Sequence, residues 1–246
     1  MRIMTMLIVW FLGMPWNLSA QNSEGPLNAS VSNFGTSFTF GPSTICKGCV
    51  QTELGTLSIE RSHTISSMIT VAPFTRTDVS ISSNLLESTS SNGKRQSALG
   101  KRVDVIIRQS VPAGKSIAFT IAPRFASADG ASGIGGSLVA QYVKNQIVTV
   151  FNATAIQSPS ESAYIPRLDE QLALNVSRML GSRGASVFTG AYARNADDSE
   201  TVGLEGGFVY PFRNGQLEFA TEYLNTAGVT SWQYQMRVTK NWGKWF

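Results

Sequence analysis

From residue 51 to the end of the chain, apolar and polar side chains alternate with a period of two, the pattern of strands whose two faces meet different surroundings. Ile65, Ile69 and Val71 alternate with Thr64, Ser66 and Thr70. Val79, Ile81 and Leu85 alternate with Asp78, Ser80, Ser82 and Asn84, and Val103, Val105 and Ile107 with Arg102, Asp104 and Arg108. Ile117, Phe119 and Ile121 stand against Ser116, Thr120 and Arg124, and Leu172, Leu174 and Val176 against Gln171, Asn175 and Ser177. Val202, Leu204, Phe208 and Tyr210 oppose Thr201 and Glu205; Leu217, Phe219 and Tyr223 oppose Glu218 and Glu222. Last come Trp232, Tyr234, Met236 and Val238, set against Gln233, Gln235, Arg237 and Thr239. Less regular segments lie at 51–60, 134–142, 147–156 and 185–194. Together they make about twelve segments of ~10 residues, the length at which a tilted strand crosses a bilayer.

Every second connection is tight, at 73–75, 112–115, 144–146, 180–184 and 211–214. Those between are mostly longer and more polar, at 87–100, 127–133, 157–168 and 195–199, with a short exception at 61–63. Short periplasmic turns facing longer external loops are how outer-membrane barrels are built. An even strand count returns both chain ends to the periplasmic side. The predicted fold is therefore all-β, a transmembrane antiparallel up-and-down β-barrel of about 12 strands. A secreted β-sandwich or a soluble barrel has the same periodicity with the apolar face turned inward. Three features favour the membrane form. The polar phase carries Ser, Thr, Asn and Gly with few lysines, a poor soluble surface. Aromatics gather near strand ends, at Tyr142, Tyr164, Tyr192, Tyr210, Tyr223, Trp232, Trp242 and Trp245, as in interfacial girdles. The chain ends on Phe246 after a strand, like the assembly signal of bacterial barrels, although counting back by twos places Lys244 and Lys240 at positions that are usually apolar.

Composition narrows the class further. Charged residues are 15% of the 246, against about a quarter in an ordinary soluble domain, and hydrophobic residues are 42%. No apolar run reaches the ~20 residues of a spanning helix. The longest, at 3–16, belongs to a secretory signal peptide over 1–20, with Arg2 as its charge, Pro15 ending its helix and Leu18-Ser19-Ala20 as its cleavage site. Residues 21–45 form a polar leader or plug in which Phe34, Phe38 and Phe40 are able to pack inside something larger; residues 46–246 form the barrel. The expected location is the bacterial outer membrane. The net charge is +4, with no Lys/Arg block, so no nucleic-acid partner is expected. One histidine, His63, and two cysteines exclude the usual multi-histidine and four-cysteine metal sites. No metal or cofactor is expected.

Three stretches carry a family likeness: Cys46-Lys47-Gly48-Cys49-Val50-Gln51-Thr52-Glu53-Leu54-Gly55 at the first strand, Leu99-Gly100-Lys101-Arg102-Val103-Asp104 at the fourth, and Phe151-Asn152-Ala153-Thr154 on the seventh. They resemble the outer-membrane transporter family named for the MetA pathway of phenol degradation, over most of 46–246. Lys101-Arg102 departs from the Gly-Asp-like turn of that pattern. The resemblance implies an outer-membrane barrel that moves hydrophobic or small organic solutes and brings no catalytic residues.

Each remaining motif has a plain structural explanation. Cys46-x-x-Cys49 lacks the helix and sheet of a redox site and reads as a disulfide clipping the leader to the first strand. His63, beside Ser62 in an external turn and without a G-x-S-x-G elsewhere, reads as a loop residue rather than a catalytic one. Gly133-Ile134-Gly135-Gly136 lacks the Lys-Ser/Thr pair of a phosphate loop. The sequons at Asn152 and Asn175 fall within strands, which discounts them. The charges on the polar phase are more informative: Asp78, Arg102, Asp104, Arg108, Arg124, Glu205, Glu218, Glu222 and Arg237. Facing lipid near the midplane, each Arg costs ~2–4 kcal/mol, so these charges are expected inside, as an internal salt-bridge network or as the lining of a solute path. With four bases and five acids, the expected lumen is nearly balanced and weakly ion-selective. Twelve strands fall between a barrel filled by its side chains and an open aqueous channel, which predicts a narrow or partly plugged pore.

The expected protein is thus not an enzyme but an outer-membrane channel or transporter for small or hydrophobic organic solutes. The alternative is a non-conducting structural or adhesive barrel that acts through its external loops. Its expected partners are outer-membrane lipid, the barrel assembly machinery through the last strand and Phe246, and small organic solutes.

Overall fold

The structure, a computed structural model, describes residues 44–245 except 60–61, 92–93, 101, 129–130, 159–166, 181–183 and 197–198. The segments at 1–20 and 21–43, Tyr164 and Phe246 therefore lie outside the described residues.

Thirteen strands follow in order: β1 (Cys49–Ile59), β2 (Ser62–Phe74), β3 (Thr77–Ser91), β4 (Lys94–Ala98), β5 (Val103–Pro112), β6 (Ile117–Ala128), β7 (Ala131–Lys144), β8 (Ile147–Ser158), β9 (Arg167–Leu180), β10 (Ala185–Ala196), β11 (Ser199–Phe212), β12 (Gly215–Thr226) and β13 (Val229–Lys244). Twelve of them close a single antiparallel barrel in which β1 pairs with both β2 and β13, sealing the first strand to the last. Closure satisfies the edges of these twelve strands across the belt, which is what a sheet needs in hydrocarbon.

The thirteenth strand corrects the reading of 87–100 as a loop. There β3 runs on to Ser91, still paired with β2 as far as Thr89, and β4 folds back along its other edge, Glu87 pairing with Ala98, so the sheet extends beyond β5 as a hairpin. A register shift of β2 on β3 lies between Ile65 and Ser66, where this extension begins. The loops expected at 127–133, 157–168 and 195–199 are likewise shorter than the sequence implied, because β6–β11 extend past the apolar stretches that define them.

Turn chemistry explains the tight ends. Asn145 and Gln146 both take positive φ between β7 and β8, the backbone of a two-residue hairpin turn, and Ala227-Gly228 does the same between β12 and β13. The second of these lies on the side of the longer loops, so that side also contains a tight turn.

The two phases separate cleanly. Ile81, Ile107, Ile121, Leu138, Phe151, Leu174 and Leu204 are exposed around the outside, while their polar neighbours in sequence are buried within. This arrangement is the reverse of a soluble sandwich. The buried apolar clusters are small, and each is confined to neighbouring or next-but-one strands. Girdle aromatics Tyr142, Tyr210, Trp232 and Trp245 are exposed, but Tyr192 points inward and is only 4% exposed, which corrects its assignment to a girdle. Lys240, in the phase of Val238 and Trp242, lays its ammonium 4.6 Å over the Trp242 ring, and Trp242 Nε1 donates to Thr52 Oγ1 at 2.9 Å. A lysine at this usually apolar position is thereby accommodated by its aromatic neighbour.

Candidate functional site: the barrel lumen

The inward residues of the sheet divide the lumen wall into three sectors. The first, on β3, β5 and β6, is built on arginine–aspartate pairs. Arg108 grips Asp78 with both arms, Nε to Oδ1 at 2.8 Å and Nη2 to Oδ2 at 2.7 Å, and both side chains are buried. The register places Asp78 directly opposite Arg108, so the pair needs no bending of either strand. The Ile45 backbone N–H also donates to Asp78 Oδ2 at 3.1 Å, which brings the start of the described chain to the short-turn end of the lumen. Toward the other end, Asp104 is held by two bases. Arg124 lies 3.0 Å from it, and Arg102 donates from Nε at 3.0 Å. Arg102 precedes β5 rather than lying on it and is the most exposed of the three.

The second sector, on β9–β13 with β1, is acidic. One rung of the ladder runs Asn175, Gly190, Glu205, Glu222, Gln233 across five strands. Glu205 and Glu222 are thus direct cross-strand neighbours, which like charges resist. Each carboxylate takes a charge-assisted hydrogen bond from a flanking amide, Asn175 Nδ2 to Glu205 Oε1 at 2.9 Å and Gln233 Nε2 to Glu222 Oε2 at 2.7 Å. Gly190 makes room for this, since a Cβ there would come within 2.5 Å of Glu205 Oε1. One rung along, a Cβ on Gly203 would lie 2.0 Å from the Tyr192 ring, so the tyrosine lies flat where only glycine leaves space. Arg237 pairs with Glu218 at 3.3 Å and donates to Gln235 Oε1 at 2.9 Å. Glu53 of β1 completes the sector.

The third sector, on β6–β8, is largely apolar: Ala118, Ala122, Ala126, Val139, Val143, Val148 and Val150. Ser137 and Thr154 share a hydrogen bond of 2.7 Å, and Thr154 donates to Asn152 Oδ1 at 2.9 Å. Among the described residues, Gln141 Nε2 and Asn152 Nδ2 are buried donors with no acceptor.

All nine charges named from the sequence therefore sit on the inner phase or at its rim. They are segregated by sign: the first sector carries three bases and two acids, the second three acids and one base, Arg237, to which Glu53 adds an acid and Arg194, in the phase of Tyr192 on β10, a base. The near balance expected from the sequence thus divides into a mainly basic wall and a mainly acidic one. Sequence reasoning missed Glu53 and Tyr192. Glu53 follows Gln51 in a segment whose outer phase, Thr52, Leu54, Thr56 and Ser58, is itself polar at three of four positions, so the alternation is masked. Tyr192 is paired with Gly203, and a glycine one rung from an inward aromatic is a signal visible only once the register is known.

The smaller motifs also find their places. Cys46 and Cys49 are disulfide-bonded just where β1 begins, and Gly48 N–H donates to Ala72 O at 2.7 Å, tying that corner to β2. His63 lies on β2 rather than in a turn, exposed, its Nδ1 2.9 Å from Ser58 Oγ, away from the lumen acids. Gly133–Gly136 lie on β7, and Asn152 and Asn175 are buried inward on their strands. Among the described residues no group of His, Cys, Asp and Glu is arranged to hold a metal ion.

No family model matches the sequence, and no curated protein aligns with it. Solved structures do resemble the fold. A structure described as the KdgM porin superposes with a TM-score of 0.58 at 8% identity, over 77% of this chain and 98% of that one. The NanC porin gives 0.58 at 7% identity, over 78% and 98%. A second KdgM structure, described as in complex with disordered oligogalacturonate, gives 0.56 at 9% identity, over 77% and 98%. At these identities the likeness is one of architecture, and together with the outward apolar belt it makes this chain an outer-membrane β-barrel.

Proposed function

We propose that the protein passes small organic solutes across a bacterial outer membrane through its lumen, without covalent chemistry. The observation that carries this reading is the polarised interior, with arginine–aspartate pairs on one wall, a rung of hydrogen-bonded carboxylates on another and an alanine–valine strip between them. An amphiphilic solute finds in that arrangement both an apolar surface and hydrogen-bonding groups, including the Gln141 and Asn152 amide donors. The porin likeness of the fold supports a channel, and the resemblance to the phenol-degradation transporter family supports hydrophobic or small organic solutes. His63 on the outer surface takes no part, so His63→Ala leaves transport unchanged.

Liposome swelling tests the reading. Vesicles carrying the protein swell in small uncharged organic solutes, and a chain that folds fully yet gives no flux refutes it. The β3–β4 hairpin favours one second reading, a structural or adhesive barrel that works through its external projections. That reading predicts no flux, and loss of function on trimming the hairpin alone.

A further inference from the structure

We infer that the inner face of β6–β8 carries a binding site for an organic oxyanion, a carboxylate or sulfonate on a small apolar body, with the Asn152 and Gln141 amides as its donors and the Arg102–Asp104–Arg124 cluster as its entrance. The inference deepens the channel reading by naming a solute class, and it rests on that reading.

Neighbouring hydroxyls fix the orientation of Asn152. Thr154 Oγ1 donates to Asn152 Oδ1 at 2.9 Å and lies 2.7 Å from Ser137 Oγ. A threonine hydroxyl has a single proton, so Ser137 is the donor in the second bond. This relay from Ser137 through Thr154 engages the amide oxygen and leaves Nδ2 as the group Asn152 presents. Asn152 is 1% exposed, and its Nδ2 has no acceptor among the described residues. The same holds for Nε2 of Gln141, which is 2% exposed. Register makes the two amides diagonal neighbours, since Gln141 faces Val150 and Asn152 faces Val139. Their Cβ atoms are then ~7 Å apart, a span that two amide ends can close around one acceptor with several oxygens.

Charge decides what kind of acceptor that is. Strands β6, β7 and β8 contain no Asp or Glu, and their inward charge is Arg124. Along the rung of Gln141 the next acid is Glu205, four strands away, or ~19 Å along the wall. A cation therefore finds no carboxylate beside the amides, whereas an anion finds donors. Val139 and Val150, the residues facing the two amides, offer an apolar surface to the body of the solute.

The entrance lies two rungs toward the longer loops, ~7 Å each. There Asp104 is clamped twice. Arg102 donates from Nε at 3.0 Å and from Nη2 at 3.3 Å, and Arg124 from Nε at 3.1 Å with its Nη2 at 3.0 Å. Two guanidiniums on one carboxylate leave one net positive charge, and roughly ten N–H donors meet about four acceptor positions. The Arg102 side chain is 40% exposed, so part of that surplus faces the mouth. A positive mouth concentrates anions and speeds their entry, most strongly at low salt.

Reversal potentials of the full chain in planar bilayers test the site, with benzenesulfonate and benzyltrimethylammonium as permanently charged probes of similar size. The parent passes benzenesulfonate in preference to benzyltrimethylammonium. The nearly isosteric Asn152→Asp lowers the benzenesulfonate-to-sodium permeability ratio about tenfold, the worth of one hydrogen bond to a charged group. Thr154→Val, which releases the amide, lowers it less, and Arg102→Gln slows anion entry at low salt only. If Asn152→Asp fails to fold, Gln141→Leu gives a fall of the same order. An unchanged ratio in either folded variant, or a parent that prefers the cation, overturns the site and leaves the channel reading intact. A folded barrel that passes neither probe and gives no swelling in uncharged solutes refutes both.

Discussion

The Asp78–Arg108 pair offers the sharpest test of how the interior is held together. Both side chains are essentially removed from solvent, at 0% and 1% exposure, and they meet through two bonds of 2.8 and 2.7 Å. Arg108→Leu keeps the bulk of the stem and removes the charge. It leaves the Asp78 carboxylate buried with the Ile45 N–H as its remaining described donor, a single charge-assisted hydrogen bond worth about 1.5–3 kcal/mol net. Breaking a buried pair by removing one partner costs ~3–5 kcal/mol, about two to four decades in the folding equilibrium. Replacing both partners with apolar residues, as in Asp78→Leu with Arg108→Leu, recovers most of that loss, because neither charge is then left to desolvate.

Urea unfolding of the barrel from lipid vesicles, followed by tryptophan fluorescence, reads all four corners of the cycle. A loss below ~1 kcal/mol for Arg108→Leu, with no coupling to Asp78, places the pair in contact with water and refutes the closed interior.

Three further outcomes follow from the same geometry. Leu138→Arg puts a charge at an outward position that is 60% exposed, and costs ~2–4 kcal/mol on folding into bilayers but little in a soluble sandwich; unimpaired vesicle insertion defeats the facing assignment. Gly203→Ala drives a methyl group into the Tyr192 ring and destabilises by ~1–3 kcal/mol, a loss reversed by adding Tyr192→Ala; the same denaturation assay checks it, and no rescue contradicts the Gly203–Tyr192 packing. Cys46→Ser opens a disulfide between residues only three apart, so thermal and urea stability fall toward the low end of the ~0–5 kcal/mol range for disulfides; failure of the barrel to assemble gives the bond a larger role than loop closure explains.

The alternation of apolar and polar residues settled what kind of sheet this is and how many strands it needs. Period two is a local property, written residue by residue, so β5, β9 and β13 were legible wherever the two phases differ strongly, as in Val103–Arg108 and Trp232–Thr239. The phase of the charges followed from the same pattern together with the cost of an arginine in lipid. Three things needed the tertiary structure. The β3–β4 hairpin is polar on both phases of Glu87–Ser91 and so leaves no apolar trace in the sequence. The wall-to-wall polarity depends on which strands lie side by side, and the Asn175–Gly190–Glu205–Glu222–Gln233 rung joins residues that are distant in sequence through register alone. Tyr192 was misplaced because an aromatic near a strand end looks the same whether it faces headgroups or a glycine notch. Sequence encodes each strand's two faces, but only closure of the sheet decides which inward side chains become neighbours.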